Sequence, residues 1–259
     1  MEIIVVFLGI LFLFLLAFLS TKLDTIFESD KNYNPYRWIL DSNKRRGRSG
    51  ENQVISVLNN IGCRHVSNLV LIDNRNKSHQ IDHVVILPNG IFCIETKNYS
   101  GRIYGRENDV NWTQVFKTGM KNKFYNPIKQ NKSHIYNLRC ILGHNYEIYS
   151  VIVFTQDNVN NVHLDNVIGI SYLQRYLINF NNGIENYSVE EMNNIYTKLI
   201  SNHRDISEEE HIKNIKELRE NIENKICPRC GRELNLKNGK YGNFYGCKGY
   251  PKCKFTMKA

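Results

Sequence analysis

No internal repeat runs through the 259 residues, which sets aside solenoid and propeller architectures. Compositional disorder is excluded as well, because 42% hydrophobic and 23% charged residues are globular values. Most of the chain also lacks charge of one sign. The formal net charge is +9, yet residues 225–259 hold nine Lys/Arg and one Glu, so only about +1 is left for everything before them. An anionic partner is therefore to be sought at the C-terminal tail rather than over the whole surface. Cysteine is sparse before that tail: Cys63, Cys93 and Cys140 are scattered and read as buried free thiols, not ligands. No Lys or Arg precedes the apolar run Ile3–Leu19, and no small-x-small site follows it. Both absences count against a cleaved signal peptide.

What the run can do is span a bilayer. At 1.5 Å per residue it reaches ~26 Å as a helix, close to the ~30 Å hydrocarbon core once its flanks are included. Lys22, Arg37, Lys44, Arg45, Arg46 and Arg48 follow it, so the positive-inside rule puts the body in the cytoplasm and a short N-terminus outside. Residues 1–20 are thus read as a single transmembrane anchor and 21–46 as a polar juxtamembrane tether.

Residues 80–101 are the stretch around which the rest is organised. Two apolar strands, Ile81–Leu87 and Ile91–Lys97, are joined across Pro88-Asn89-Gly90, and Asn-Gly between β-rich runs is a hairpin signal. Asp82 interrupts the first strand; Glu95 and Lys97 interrupt the second and share one face of it. A turn centred at 88/89 sets Asp82 opposite Glu95, and one at 89/90 sets it opposite Lys97. Either register gathers all three on one side of the sheet. A solvated face with a cross-strand ion pair is the bland reading of such a pattern. Against it stand Val84, Ile86 and Cys93, neighbours that imply burial, where charge is costly unless a metal or substrate compensates it.

Asp followed at this distance by Glu-x-Lys resembles the PD-(D/E)xK nuclease superfamily. The fuller string Gln80-Ile81-Asp82-His83-Val84-Val85, Pro88-Asn89-Gly90-Ile91-Phe92 and Ile94-Glu95-Thr96-Lys97-Asn98-Tyr99-Ser100-Gly101 resembles the nuclease-related domain (NERD) family within it. Ile81 stands where the superfamily's name has proline. The resemblance implies an α/β, restriction-endonuclease-like core, a mixed sheet flanked by helices. It further implies Mg²⁺ held by Asp82, Glu95 and the main-chain carbonyl of Thr96, with Lys97 to help deprotonate or orient the attacking water or to stabilise charge developing on the phosphate.

Two further residues enter the site by the same resemblance. Ser49 reads as the N-cap of a helix reaching about Ile61, with Val54, Leu58 and Ile61 as its buried stripe. Glu51 lies in its first turn, where a carboxylate favours the helix macrodipole; the resemblance instead points it into the metal site. Asn126-Pro127 opens another helix whose stripe is Ile128, Ile135, Leu138 and Leu142. Gln130 and His134 lie one turn apart on its flank, a solvated edge on the bland reading. The resemblance turns Gln130 toward the active site.

Between these helices Gly101–Trp112 reads as a short strand and turn. Beyond them Tyr149–Phe154 and Val167–Ile170 read as strands. Ser171-x-x-Gln174 reads as a capping box opening a helix to about Phe180, and Ser188-x-x-Glu191 as another opening a helix to about Ser201. Alternating helices and strands argue for one α/β domain over 47–200. A charged helix with Ile212, Ile215, Leu218 and Ile222 at helical spacing connects it, over 201–225, to the tail.

The tail, 226–259, carries Cys227-Pro228-Arg229-Cys230, then Cys247 and Cys253, a tetrathiolate zinc pattern. So short a segment buries too little to fold unaided, and bound zinc supplies its folding energy. Residues 227–255 closely resemble the C-terminal zinc ribbons of bacterial type I DNA topoisomerases, which implies single-stranded DNA binding. Independently, Tyr241, Phe244, Tyr245, Tyr250 and Phe255 interleave with Lys240, Lys248, Lys252 and Lys254. Aromatic platforms for bases beside cations for phosphates are what single-strand binding requires. Some of these rings are needed for the ribbon's own small core, and at least two are expected to be exposed. The function implied is a membrane-anchored, Mg²⁺-dependent deoxyribonuclease with a zinc ribbon that holds substrate; its rival is a catalytically silent, membrane-tethered DNA-binding protein. Stacking chemistry alone does not tell DNA from RNA.

Overall fold

A computed structural model describes residues 37–73, 77–205, 213, 216–217, 220–228, 230–239 and 242–259. The apolar run Ile3–Leu19, most of the tether, and Lys240 and Tyr241 lie outside the described residues, as do Ile212, Ile215 and Leu218 of the connector. Among the described residues no helix is long and apolar enough to cross a membrane. The chain divides into two compact units, Met1–Arg46 and Gly47–Ala259, and the sheets all belong to the second.

The second unit is a mixed α/β structure built on a five-stranded sheet in the order β1-β2-β3-β7-β8. These strands are β1 (Arg64–Ile72), β2 (Ser78–Leu87), β3 (Gly90–Lys97), β7 (Ile148–Phe154) and β8 (Val167–Gly169). β1, β2 and β3 pair antiparallel, whereas β7 and β8 run parallel to β3. The β2–β3 turn is centred on Pro88-Asn89, with Leu87 opposite Gly90, so Gly90 belongs to β3 and not to the turn. The buried Asn89 amide explains that choice: it donates to the carbonyls of Leu177, Ile178 and Phe180, at 2.9, 3.2 and 3.1 Å. These are carbonyls at the end of a helix that would otherwise lack donors.

Helices cover both faces. On one, α1 (Arg37–Ile61) and α3 (Ile170–Ile178) bury Val54, Leu58, Leu173 and Leu177 against Val85, Phe92 and Ile94. On the other, α2 (Pro127–Leu142) and α4 (Val189–Asn202) bury Ile135, Leu138, Leu142, Ile195 and Leu199 against Val84, Ile86, Ile91 and Cys93. Val84 and Ile86 of β2 and odd-numbered β3 residues, Glu95 and Lys97 included, face α2; Ile81 joins the same cluster, so the alternation of β2 breaks at Asp82, opposite Asn68 with its φ of 54°.

Helix boundaries differ from expectation in two places. α1 begins at Arg37, so Ser49 lies inside the helix and is not its cap. Gly50 keeps a role there, since a Cβ on it would meet Asn98 Cβ at 2.9 Å. α3 takes Gly169 as N-cap with no side-chain capping bond. Ser171 instead donates its N–H and hydroxyl to Asp157 Oδ1, at 3.0 and 3.1 Å, so an aspartate from the β7–β8 connection serves the helix end. The other two starts hold: Asn126 accepts from Ile128 N–H, and Ser188 with Glu191 forms a complete capping box.

Where one strand and turn was expected, the chain builds a second, three-stranded sheet in the order β4-β5-β6: β4 (Arg102–Tyr104), β5 (Asn111–Val115) and β6 (Lys121–Tyr125). Its inner face, Ile103, Trp112 and Phe124, packs on Ile152 and Phe154 of β7, with Trp112 stacked on Phe154. Gly101, at φ 79°, makes the entry possible, because a Cβ there would stand 2.4 Å from the Val115 carbonyl oxygen. The tail forms a third sheet, β11-β10-β9: β9 (Leu234–Gly239), β10 (Gly242–Cys247) and β11 (Thr256–Lys258).

Candidate active site and metal centre

The β2–β3 ladder stops at His83↔Ile94. One step further the register sets Asp82 against Glu95, and there a side chain replaces the ladder: Asp82 Oδ2 accepts from Thr96 N–H at 2.8 Å. The strands thus splay at the point where charge replaces apolar residues, and a carboxylate takes over a bond that the backbone would have made. Lys97 closes the end of β3, its carbonyl accepting from Thr155 N–H at 3.0 Å.

Lys97 Nζ donates to Glu95 Oε1 at 2.5 Å and to Gln130 Oε1 at 3.2 Å. Gln130 is therefore on the sheet side of α2. So is His134, one turn on, whose Nε2 lies 3.2 Å from Glu95 Oε2 without the alignment of a hydrogen bond. Glu95 Oε2 is thus a buried carboxylate oxygen flanked by the His134 ring, neither of whose nitrogens has an aligned hydrogen bond. Asn131, between the two, is fully buried and ties the helix to the sheet. Its amide donates to the Cys93 carbonyl at 2.8 Å and to Ser150 Oγ at 2.9 Å, while Cys93 Sγ donates to its Oδ1 at 3.0 Å. That knot sets the height of α2 along β3, and with it the reach of Gln130 and His134.

The electrostatics follow from burial. Burial, and then the Glu95 charge, push the Asp82 carboxyl well above the ordinary range. Burial also acts against the Glu95 carboxylate, but Lys97 and His134 outweigh it and hold its pKa below the usual value. For Lys97, burial is opposed by Glu95 and Asp82, and the ammonium ends with a raised pKa. Glu51 is pushed up by burial and by Glu95, which places it within electrostatic reach of the cluster from α1. Behind the site His83 is held neutral, with a pKa lowered to about 4 by burial and by His65.

The structure thus brings Asp82, Glu95, Lys97 and Gln130 together, with Glu51 nearby. His134 was less legible than Gln130: i, i+4 spacing from Gln130 was the signal, and its contact with Glu95 requires the register of α2. An oxygen donor set built on buried carboxylates, Asp82 and Glu95, fits a hard divalent cation. Asp82, Glu95 and the Thr96 carbonyl are the residues that would hold it.

The tail contains the other centre. Cys227, Cys230, Cys247 and Cys253 place their Sγ atoms within 4.8 Å of one another, the one such cluster of His, Cys, Asp or Glu among the described residues. Sγ pairs at 3.7 Å (Cys227, Cys253) and 3.2 Å (Cys230, Cys247) are close to the ~3.8 Å edge of a tetrahedron with 2.3 Å zinc–sulfur bonds. The set fits structural Zn²⁺. Of the other cysteines, Cys93 is buried and Cys63 half-buried, but Cys140, expected to be buried, is exposed.

The ribbon's aromatics divide. Tyr245 and Phe255 pack on the cysteine core, and Lys225 Nζ lies 4.5 Å over the Tyr245 ring. Tyr245 is thus a core residue rather than a free stacking platform. Tyr250 is 67% exposed, and half-buried Phe244 lines with it, Lys237 and Lys254 a groove of about 370 Å³. Lys248, Lys252 and Lys254 are exposed.

Residues 46–155 match the family model described as nuclease-related domain, and residues 224–259 match that described as topoisomerase DNA binding C4 zinc finger. An uncharacterised protein of Bacillus anthracis is 34% identical over 115 residues, which are 43% of this chain and 53% of that protein. DNA topoisomerase 1 of Methanocaldococcus jannaschii is 55% identical over 42 residues, 16% of this chain and 6% of the topoisomerase. The uncharacterised protein YrdD of Escherichia coli is 48% identical over 33 residues, 13% of this chain and 18% of that protein. The chain therefore spans about half the length of the first of these relatives and far less of the others. No solved structure matches it.

Proposed function

We propose, from the premise that the chain carries a nuclease-related domain and a topoisomerase-type C4 zinc ribbon, that it is a Mg²⁺-dependent nuclease hydrolysing phosphodiester bonds of DNA. The observation that carries the reading is the Glu95 carboxylate, buried beside Asp82, Lys97 and the His134 ring at the end of β3. Mg²⁺, when bound there, polarises a phosphate and lowers the pKa of a water. Asp82 and Glu95 would hold it with the Thr96 carbonyl, and Glu51 would steer it from α1.

Lys97 has its own part. Beside Glu95 and Gln130 it would orient the attacking water or donate toward charge developing on the phosphate. Gln130 fixes where that ammonium points. The ribbon does no chemistry: Tyr250 and Phe244 offer rings, and Lys237 and Lys254 offer charge, to a single strand of DNA. The run Ile3–Leu19 would anchor the chain in a membrane with its body in the cytoplasm.

The test offers linear, circular and single-stranded DNA, with RNA as competitor, to the full chain in Mg²⁺ or in EDTA, beside Glu95→Ala. Metal-dependent cutting that the variant lacks supports the reading. DNA binding with no cutting of any substrate replaces it with the silent tether. Anchoring is checked separately by whether the chain stays with membranes through an alkaline wash.

A further inference from the structure

The second sheet has an outer face that the nuclease reading leaves unused. Its registers run Arg102↔Val115↔Lys121 and Tyr104↔Thr113↔Lys123, with Asn111↔Tyr125 at the end. Cross-strand partners point the same way, so Arg102, Lys121, Lys123, Tyr104 and Tyr125 all stand on the side opposite buried Ile103 and Trp112. The three cations are exposed, and the two rings are 37% and 50% exposed. Residues 101–125 hold five Lys/Arg and two acids. Both acids are occupied, Glu107 with Lys132 and Asp109 with the Arg106 N–H, at 2.9 and 2.8 Å.

From that face we propose that the β4-β5-β6 sheet is a binding platform for single-stranded DNA, separate from the zinc ribbon. Tyrosines beside cations on one face, Tyr104 in the row of Lys123 and Tyr125 two residues beyond it, match a chain of phosphates and bases, which an acidic protein surface would not need. The face continues into a groove of about 560 Å³ that Tyr104, Asn111 and Thr113 share with Arg106, His163, Glu107 and Asp109, the two carboxylates held by Lys132 and by the Arg106 N–H. Position supports it as well. Arg102 is five residues beyond Lys97, a reach of at most about 17 Å of extended chain, and Trp112 rests on Phe154, the β7 partner of Lys97. A strand lying on the sheet would be delivered to the carboxylates; the platform's use in cleavage, though not its binding, rests on the nuclease reading.

The test measures binding, not cutting. Fluorescein-labelled oligothymidylate is titrated into the full chain carrying Glu95→Ala, over a series of salt concentrations. Adding Lys121→Glu with Lys123→Glu should weaken binding tenfold or more at 0.1 M salt and flatten the slope of log K against log salt by about 1.4, at ~0.7 per phosphate contact. Adding Tyr104→Ala with Tyr125→Ala should weaken it about tenfold per ring and leave the slope unchanged. All four positions are exposed, and unchanged thermal melting verifies that the fold is kept. Affinity and slope equal to those of the Glu95→Ala parent in both pairs overturn the proposal. A loss in the charge pair alone overturns it too, since phosphate attraction without stacking is not a single-strand platform. If binding falls as stated while the native chain cuts nothing in Mg²⁺, the nuclease reading fails and the platform stands.

Discussion

The domain around β3 and the ribbon around Cys247 solve the same problem in opposite ways. The first folds by burying apolar faces on both sides of its sheet, and it can therefore spend a few core positions on Asp82, Glu95 and Lys97. The other polar groups it buries, such as His83, Asn89 and Asn131, are neutral. The ribbon has three buried cysteines and Leu234 as its core, with half-buried Cys230 packed against them, too little to hold 35 residues without a cation. In the domain, charge is the exception that marks the site; in the ribbon, ligation is the fold itself. Cation removal should therefore unfold the one and merely relax the other.

Cys247→Ser gives the sharpest separation. The variant should lose its equivalent of zinc, measured by metal analysis, and the ribbon should become protease-sensitive, because apparent zinc binding of ~10–16 kcal/mol is what folds such a module. Residues 47–202 should keep their protection. A variant that retained zinc and a resistant ribbon would remove the contrast.

Glu95→Gln breaks the domain from within. It leaves Lys97 buried with Gln130 and the more distant Asp82, and losing one partner of a buried pair costs about 3–5 kcal/mol. Cleavage should vanish and thermal stability should fall together. Asp82→Asn should separate them. Folding raises the Asp82 pKa, so its contribution to stability is complete below the unfolded value and is lost as pH rises through the folded one. At neutral pH without Mg²⁺ the asparagine variant should therefore melt higher than the native chain while cutting nothing. A lower melting temperature would mean that the Thr96 N–H bond outweighs the repulsion from Glu95.

These contrasts also show what could be read beforehand. The site was legible because charge stood out against Val84, Ile86 and Cys93, and the cysteine spacing was legible because ligand geometry is local. The register was not: the sequence allowed Asp82 to face either Glu95 or Lys97, and the buried Asn89 amide, reaching carbonyls of α3 and just beyond it, accompanies the choice. β1 went unread although it heads the sheet. β6 was missed because Lys121-Asn122-Lys123-Phe124-Tyr125 carries its apolar residues at one end. The α1 start was misplaced because a serine two residues after a glycine looks like a cap, and only the close approach of Gly50 to Asn98 explains a glycine inside the helix.

Asn131→Ala probes a tie that neither pattern announced. It removes three short bonds from a fully buried amide and leaves the Cys93 carbonyl and Ser150 hydroxyl short of a partner, which should cost about 1–3 kcal/mol. If the knot sets the height of α2, cleavage should fall by more than the stability loss explains, with Gln130 and His134 displaced from Lys97 and Glu95. Stability lost with full cleavage at temperatures where the variant is folded would make Asn131 structural alone.

The smallest change tests whether the domain's far edge matters to its site. Ser188 caps α4 by accepting from Glu191 N–H at 3.2 Å, and α4 packs on the sheet face that carries Glu95, but through Met192, Ile195 and Leu199, well along from the carboxylates. Ser188→Ala should lower stability by about 1 kcal/mol, the usual value of such a cap. Cleavage and DNA affinity should be unchanged, because the cap supports burial and touches neither Lys97 nor the ribbon. A tenfold loss of cleavage from this substitution would show that the site is held by the packing of α4 as a whole, and the division between burial that folds and charge that acts would then fail inside the domain itself.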